Sequence, residues 1–293
     1  MNVRTTRHPG LARHWPLLRA FLRCERLKLH RSRVFKIMLV ATAITPVVTL
    51  AVLAQIDGQA VAFPRALELI GAFLLILTTM NALLLVTTIL GDEFEQRTAR
   101  VAIERGIPRW VFIVGKEITL IYAALIYALI GWVCSGGVAL ISQAIRFGPQ
   151  GGLWLWLLVL CTSGLDAAAV AILAAAAYTG LALIGGMIVH SPAFTLFIGL
   201  GLFLVDLLIT GNLGFAVSLG TYKIASVFNN AVFLLNSLQF SMAPLALIQH
   251  NAPFYGDANI QPLTALAVLL GYALGGTAIA IGLFWWQDLD AAR

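Results

Sequence analysis

The chain has 293 residues, of which 60% are hydrophobic and only 11% charged, with a formal net charge of +6. A soluble domain of this length needs far more charge to cover its surface, and its apolar runs are continuous, without the period-two alternation of a membrane β-barrel. The composition predicts an all-α polytopic membrane protein, one transmembrane domain over residues 1–293, and no nucleic-acid partner.

The first predicted element is an amphipathic helix over residues 15–33, within "HWPLLRAFLRCERLKLHRSR". Arg19, Arg23, Arg26 and His30 recur at helical spacing on one face, while Leu18, Phe21, Leu22 and Leu29 occupy much of the other. Such a helix lies along a membrane interface, its basic face against anionic lipid headgroups.

Six apolar runs follow, at about 34–55, 67–91, 111–142, 153–187, 193–211 and 263–286. Each is long enough to cross a hydrocarbon core of ~30 Å, so six transmembrane helices are expected. The fourth run is long and should tilt, bend near Gly164 or Gly180, or emerge from the bilayer. In the turn before the fifth, Ser191 suits a helix cap and Pro192 a first helical position. Residues 212–262 contain "KIASVFNNAVFLLNSLQF", apolar but interrupted by Asn229, Asn230 and Asn236. We read that segment as a re-entrant helix on the outer side before the last span, because polar backbone at depth needs protein or water beside it. Ala267, Gly271 and Gly275 form a small-residue row suited to close helix packing, as does the alanine-rich "LDAAAVAILAAAAYTG".

Charge sets the orientation. Sixteen of the nineteen Lys and Arg residues fall in residues 4–36, 97–116 and the C-terminus, against three (Arg65, Arg146, Lys223) in the other loops. This places both termini on the cytoplasmic side of the plasma membrane.

Enzymatic motifs are missing. The sequence has no HExxH, GxSxG or GxxxxGK[ST] pattern, and Cys24, Cys134 and Cys161 have no metal-ligand spacing. Neither a metal site nor a bound cofactor is expected. Asp166 and Asp206 are the acidic residues inside the later spans. A charge in the bilayer costs ~2.5–3.5 kcal/mol on insertion scales, so each should face the bundle interior or water. They carry the alternative reading, an ion- or proton-coupled secondary transporter, which internal pseudo-repeats would favour; none is visible.

The densest polar stretch is "GDEFEQRTARVAIERGIPRW", residues 91–110, with four acidic and four basic residues after twenty uncharged ones. Asp92, Glu93 and Glu95 crowd its start and Arg97, Arg100 and Arg105 its end, as a helix macrodipole favours. Glu93 and Arg97 are four apart in the favourable order. Gly106 suits a C-terminal cap, and Pro108 opens the next helix. The order of these residues predicts a short helix over 92–104 that serves as a docking element.

This stretch resembles the first cytoplasmic loop of type-2 ABC transporter permeases. The acidic–aromatic–acidic opening, the threonine, the turn and the lysine entering the third span match at Glu93, Phe94, Glu95, Thr98, Pro108, Arg109 and Lys116. Arg97 stands where the family usually has glycine. The resemblance extends to the interfacial helix, the six-span count, the "IVHSPAF" turn and the outer segment. It implies that 92–104 is a coupling helix seated on a separate ABC ATPase, with Glu93, Phe94, Glu95, Arg97, Thr98 and Arg100 at the contact. It also implies that ATP and Mg are bound by that partner, that two permease chains pair as a homo- or heterodimer, and that the assembly exports an unidentified substrate.

Overall fold

A computed structural model describes residues 15–56, 65–91, 93, 98–147, 153–189, 191–218 and 262–286. Every element among them is helical. In chain order these are α1 (Trp15–Arg31), α2 (Arg33–Ile56), α3 (Arg65–Val86), α4 (Thr98–Glu104), α5 (Arg109–Phe147), α6 (Leu153–Val189), α7 (Pro192–Ser218) and α8 (Pro262–Trp286). The six expected apolar runs correspond to α2, α3 and α5 to α8. Most of the expected outer re-entrant segment, residues 219–261, lies outside the described residues, and α7 runs on past 211 to Ser218.

Among the described residues, three stretches are long and apolar enough to cross a membrane: Arg109–Ile141, Ala168–Val189 and Leu269–Trp286. Leu74–Leu90 and Pro192–Val205 are shorter apolar helices. Helices α1 and α2 meet at 66°. Ser32 makes that corner: its N–H donates to the Lys28 and Leu29 carbonyls, ending α1, and its hydroxyl accepts from the Phe35 N–H, capping α2. Helix α3 ends in a π-turn, Thr87–Gly91, where the Thr87 and Thr88 hydroxyls donate to the Leu84 and Leu85 carbonyls.

Helix α6 is the centre of the bundle, packed on α3, α5, α7 and α8. Its alanine-rich stretch explains this. Ala171, Ala174, Ala175 and Ala177 are fully or almost fully buried, and side chains this small let several neighbours approach at once. On α8 the expected close-packing row is displaced. A Cβ added at Gly271 or Gly275 would meet nothing within 4 Å, whereas one at Gly276 would fall 2.8 Å from the Gly180 carbonyl carbon. Leu269, Ala273, Gly276 and Ala280 form the buried seam instead. Helix α1 lies against α5 and α2.

Candidate functional site

Helix α4 is short and sharply delimited. At its start the Thr98 hydroxyl donates to the Glu93 carbonyl. At its end Gly106 has φ +88°, and the Gly106 and Ile107 N–H groups donate back to the Ile103 and Ala102 carbonyls. That is the Schellman arrangement, in which the left-handed position favours glycine. Pro108 then supplies the first carbonyl of α5, accepting from the Phe112 N–H. Arg109 reaches across to α8, donating to the Phe284 and Trp285 carbonyls at 2.7 and 3.1 Å. These carbonyls lie in the last described turn of α8, where a cation also suits the helix dipole. The turn after α4 is thereby fastened to the end of the final helix. Only Ala99 of α4 is buried; Val101, Glu104 and Arg105 are exposed.

The side chain of Glu93 turns inward, to a cluster of four charges. Lys116 of α5, with no exposed surface, lies 2.6 Å from Glu25 Oε2 and 2.7 Å from Glu93 Oε1. Lys28 of α1 closes the ring, 2.9 Å from Glu25 Oε1 and 3.0 Å from Glu93 Oε1. Lys116 Nζ also donates to the Ile89 carbonyl in the π-turn at 3.5 Å, beside its hydrogen bond to Glu25 and its ion pair with Glu93. The rings of Phe21 and Phe112 flank the ammonium at 5.9 and 5.5 Å. Two lysines and two glutamates leave no net charge, which is what a buried cluster requires.

The ionisation of the cluster follows from its geometry. Burial pushes the Glu25 carboxyl up, but the Lys116 charge and the hydrogen bonds from Lys116 and Lys28 outweigh it and hold Glu25 below its ordinary range. Burial pulls Lys28 down, and its hydrogen bond to Glu25 and the Glu93 charge more than offset that, holding it above the usual lysine range. The members are unequal in worth. The side chain of Lys28 is 58% exposed, so its bridges are screened by solvent, whereas the Lys116–Glu25 pair is screened little.

A close helix approach brings this cluster together. Phe21 of α1 lies on Gly115, and a Cβ there would come within 2.6 Å of the Phe21 ring at Cε1. Gly115→Val is therefore expected to lift α1 from α5 and open the cluster, at a cost of about 1–3 kcal/mol from overpacking. Faster limited proteolysis within residues 15–31 would register it; an unchanged cleavage rate would mean that Phe21 swings aside without disturbing α1.

The residues singled out from sequence are partly placed. Thr98 begins α4, and Arg100 pairs with Glu104 at 2.8 Å, an exposed i,i+4 contact of small worth. Phe94, Glu95 and Arg97 lie outside the described residues, as do the side chains of Asp166 and Asp206. On α1, Arg19 and Arg23 are exposed, the first lying 5.3 Å from the Trp15 ring. Arg26 and His30 lie against α5: the guanidinium is 5.5 Å from the Tyr122 ring, and His30 Nε2 is 3.3 Å from the Tyr122 hydroxyl. Glu25 and Lys28 were not expected. The available signal was a carboxylate at helical spacing between Leu18 and Leu29, in the middle of the face that should be apolar.

The ABC-2 family transporter model matches residues 21–181. The chain belongs to the ABC-2 transporter family. The match begins inside α1 and ends in α6, so it takes in all four charges of the cluster, α4 and the turn through Arg109. No curated protein sequence matches the chain. Membership and the apolar helices together make this ABC-2 protein a multi-pass membrane protein and an ABC permease subunit. Among its described residues no group of three or more His, Cys, Asp or Glu side chains is placed to hold a metal ion.

Proposed function

We propose that this ABC-2 protein is the six-span transmembrane subunit of an ATP-driven exporter in the cytoplasmic membrane, with both termini cytoplasmic. In this reading residues 92–104 seat on a separate ATPase subunit, which binds ATP and Mg, and two permease chains work with two ATPase chains. The observation that carries it is the Lys116–Glu93–Glu25–Lys28 cluster. A solvated loop has no need of an inward carboxylate pinned to two other helices. A segment that must pass on a displacement does, because rigid links are what turn a local push into movement of whole helices. Glu93 holds the segment to α1 and α5, and Arg109 holds the turn behind it to α8. The outward side of α4, with Val101 exposed, is left for the ATPase. The substrate in this reading is a small drug, antibiotic or peptide. Asp166 and Asp206 would carry the ion-coupled alternative.

Co-purification of the co-expressed ATPase tests this. Val101→Asp, which puts a charge on an exposed position, is expected to insert and fold normally while lowering ATPase capture at least tenfold, about 1.4 kcal/mol of association. Asp166→Asn is expected to leave capture intact. Robust ATP hydrolysis by the permease alone, or full capture by Val101→Asp, would overturn the reading.

A further inference from the structure

Glu117 follows Lys116 in α5 but takes no part in the charge cluster. It is only 6% exposed and stands eight residues past Arg109, roughly 12 Å along a helix at 1.5 Å per residue. Its Oε1 lies 3.1 Å from the Thr179 hydroxyl of α6, and its Oε2 has no hydrogen-bond partner among the described residues. No cation among the described residues lies within salt-bridge distance. Lys116 is committed to Glu25 and Glu93, and the only titratable side chains described on α6 and α8 are Tyr178 and Tyr272. Those described on α3 include none. Those of α1 and α2 are Arg19, Arg23, Cys24, Glu25, Arg26, Lys28, His30, Arg31, Arg33 and Lys36, and of these only Glu25 is buried.

The Thr179 hydroxyl decides the chemistry. It owns one proton and has two oxygens at 3.1 Å, Glu117 Oε1 and the Ala176 carbonyl. If Glu117 were ionised, Thr179 would spend its proton on Oε1, and a charged Oε2 would remain bare in a dry interior, a costly arrangement. If Glu117 is an acid, its Oε1–H donates to the Thr179 oxygen and the Thr179 proton goes to the Ala176 carbonyl. The unpartnered Oε2 is then an uncharged carbonyl oxygen, far cheaper to leave alone.

We infer that Glu117 is a proton-binding site inside the bundle, a neutral acid hydrogen-bonded to Thr179 while α5 and α6 are packed together. When water enters between the two helices, the carboxyl O–H breaks, the proton passes to water and the carboxylate is left solvated. Thr179 precedes Gly180, the residue on which α8 lies, so the proton sits beside the joint of three helices. The site is independent of ATPase docking, and its test does not use the ATPase.

Infrared spectroscopy of the intact protein in liposomes at neutral pH reads the carbonyl stretch of un-ionised carboxyls. The wild type should show a band that Glu117→Gln lacks and that Thr179→Val displaces in frequency. On transfer to D2O the band should shift slowly, as burial demands. Glu117→Gln keeps a neutral group and should retain the wild-type melting temperature. A wild type without the band, a band retained in Glu117→Gln, a shift complete on mixing with D2O, or a large loss of thermal stability in Glu117→Gln would each overturn the assignment.

Discussion

Lys116→Met is expected to cost this ABC-2 protein about 3–5 kcal/mol, the range for removing one partner from a buried ion pair. The variant leaves Glu25, 2% exposed, facing Glu93 with one solvent-exposed lysine between them. Methionine matches the length of the lysine stem, so the loss comes from charge and not from a cavity. The measurement is the melting temperature in detergent. The charge argument makes a second demand: Lys116→Met combined with Glu25→Gln should be more stable than the sum of the two single losses, because the double variant no longer buries an uncompensated carboxylate. Strict additivity would show that the two residues act separately.

A comparably large effect is expected at Gly276. An added Cβ there would lie 2.8, 3.1 and 3.2 Å from the carbonyl carbon, oxygen and Cα of Gly180. These are backbone atoms of the central helix and cannot turn aside as a side chain can. Gly276→Ala must therefore push α8 from α6, at about 1–3 kcal/mol for overpacking. Gly275→Ala, one residue away, meets nothing within 4 Å and should be neutral or slightly stabilising, since alanine favours the helix by about 1 kcal/mol over glycine. Equal melting temperatures for the two variants would remove the close α6–α8 crossing from the fold.

The contrast between those neighbours shows what sequence reading can and cannot reach here. Apolar length is a one-dimensional property, and it located the runs that became α2, α3 and α5 to α8. Gly106 and Pro108 were legible because the chemistry that ends one helix and begins the next is local. The seam on α8 was not legible in this way. Gly271 and Gly275 have the spacing for close approach, but which row of a helix meets a neighbour depends on its rotation within the bundle, and spacing is silent on rotation. The charge cluster was hidden for another reason. Glu25 and Lys116 are 91 positions apart, and each fitted another pattern, one in a basic amphipathic helix and the other at the entrance to a span. Glu93 was singled out by the charge order of its own segment and Lys116 by family resemblance, while Glu25, Lys28 and Glu117 carried no motif. Their importance comes from burial, which exists only in the folded bundle.

That same separation sets a timetable for synthesis. Helix α1 emerges before α5, and its buried carboxylate meets the buried counter-charge of Lys116 only when α5 has followed it. At ~5–20 residues per second the wait is roughly 5–20 s, during which Glu25 is best left in water. Helix α1 is then fixed in position only once α5 has followed it, and the arrival of Lys116 is the event that seats it.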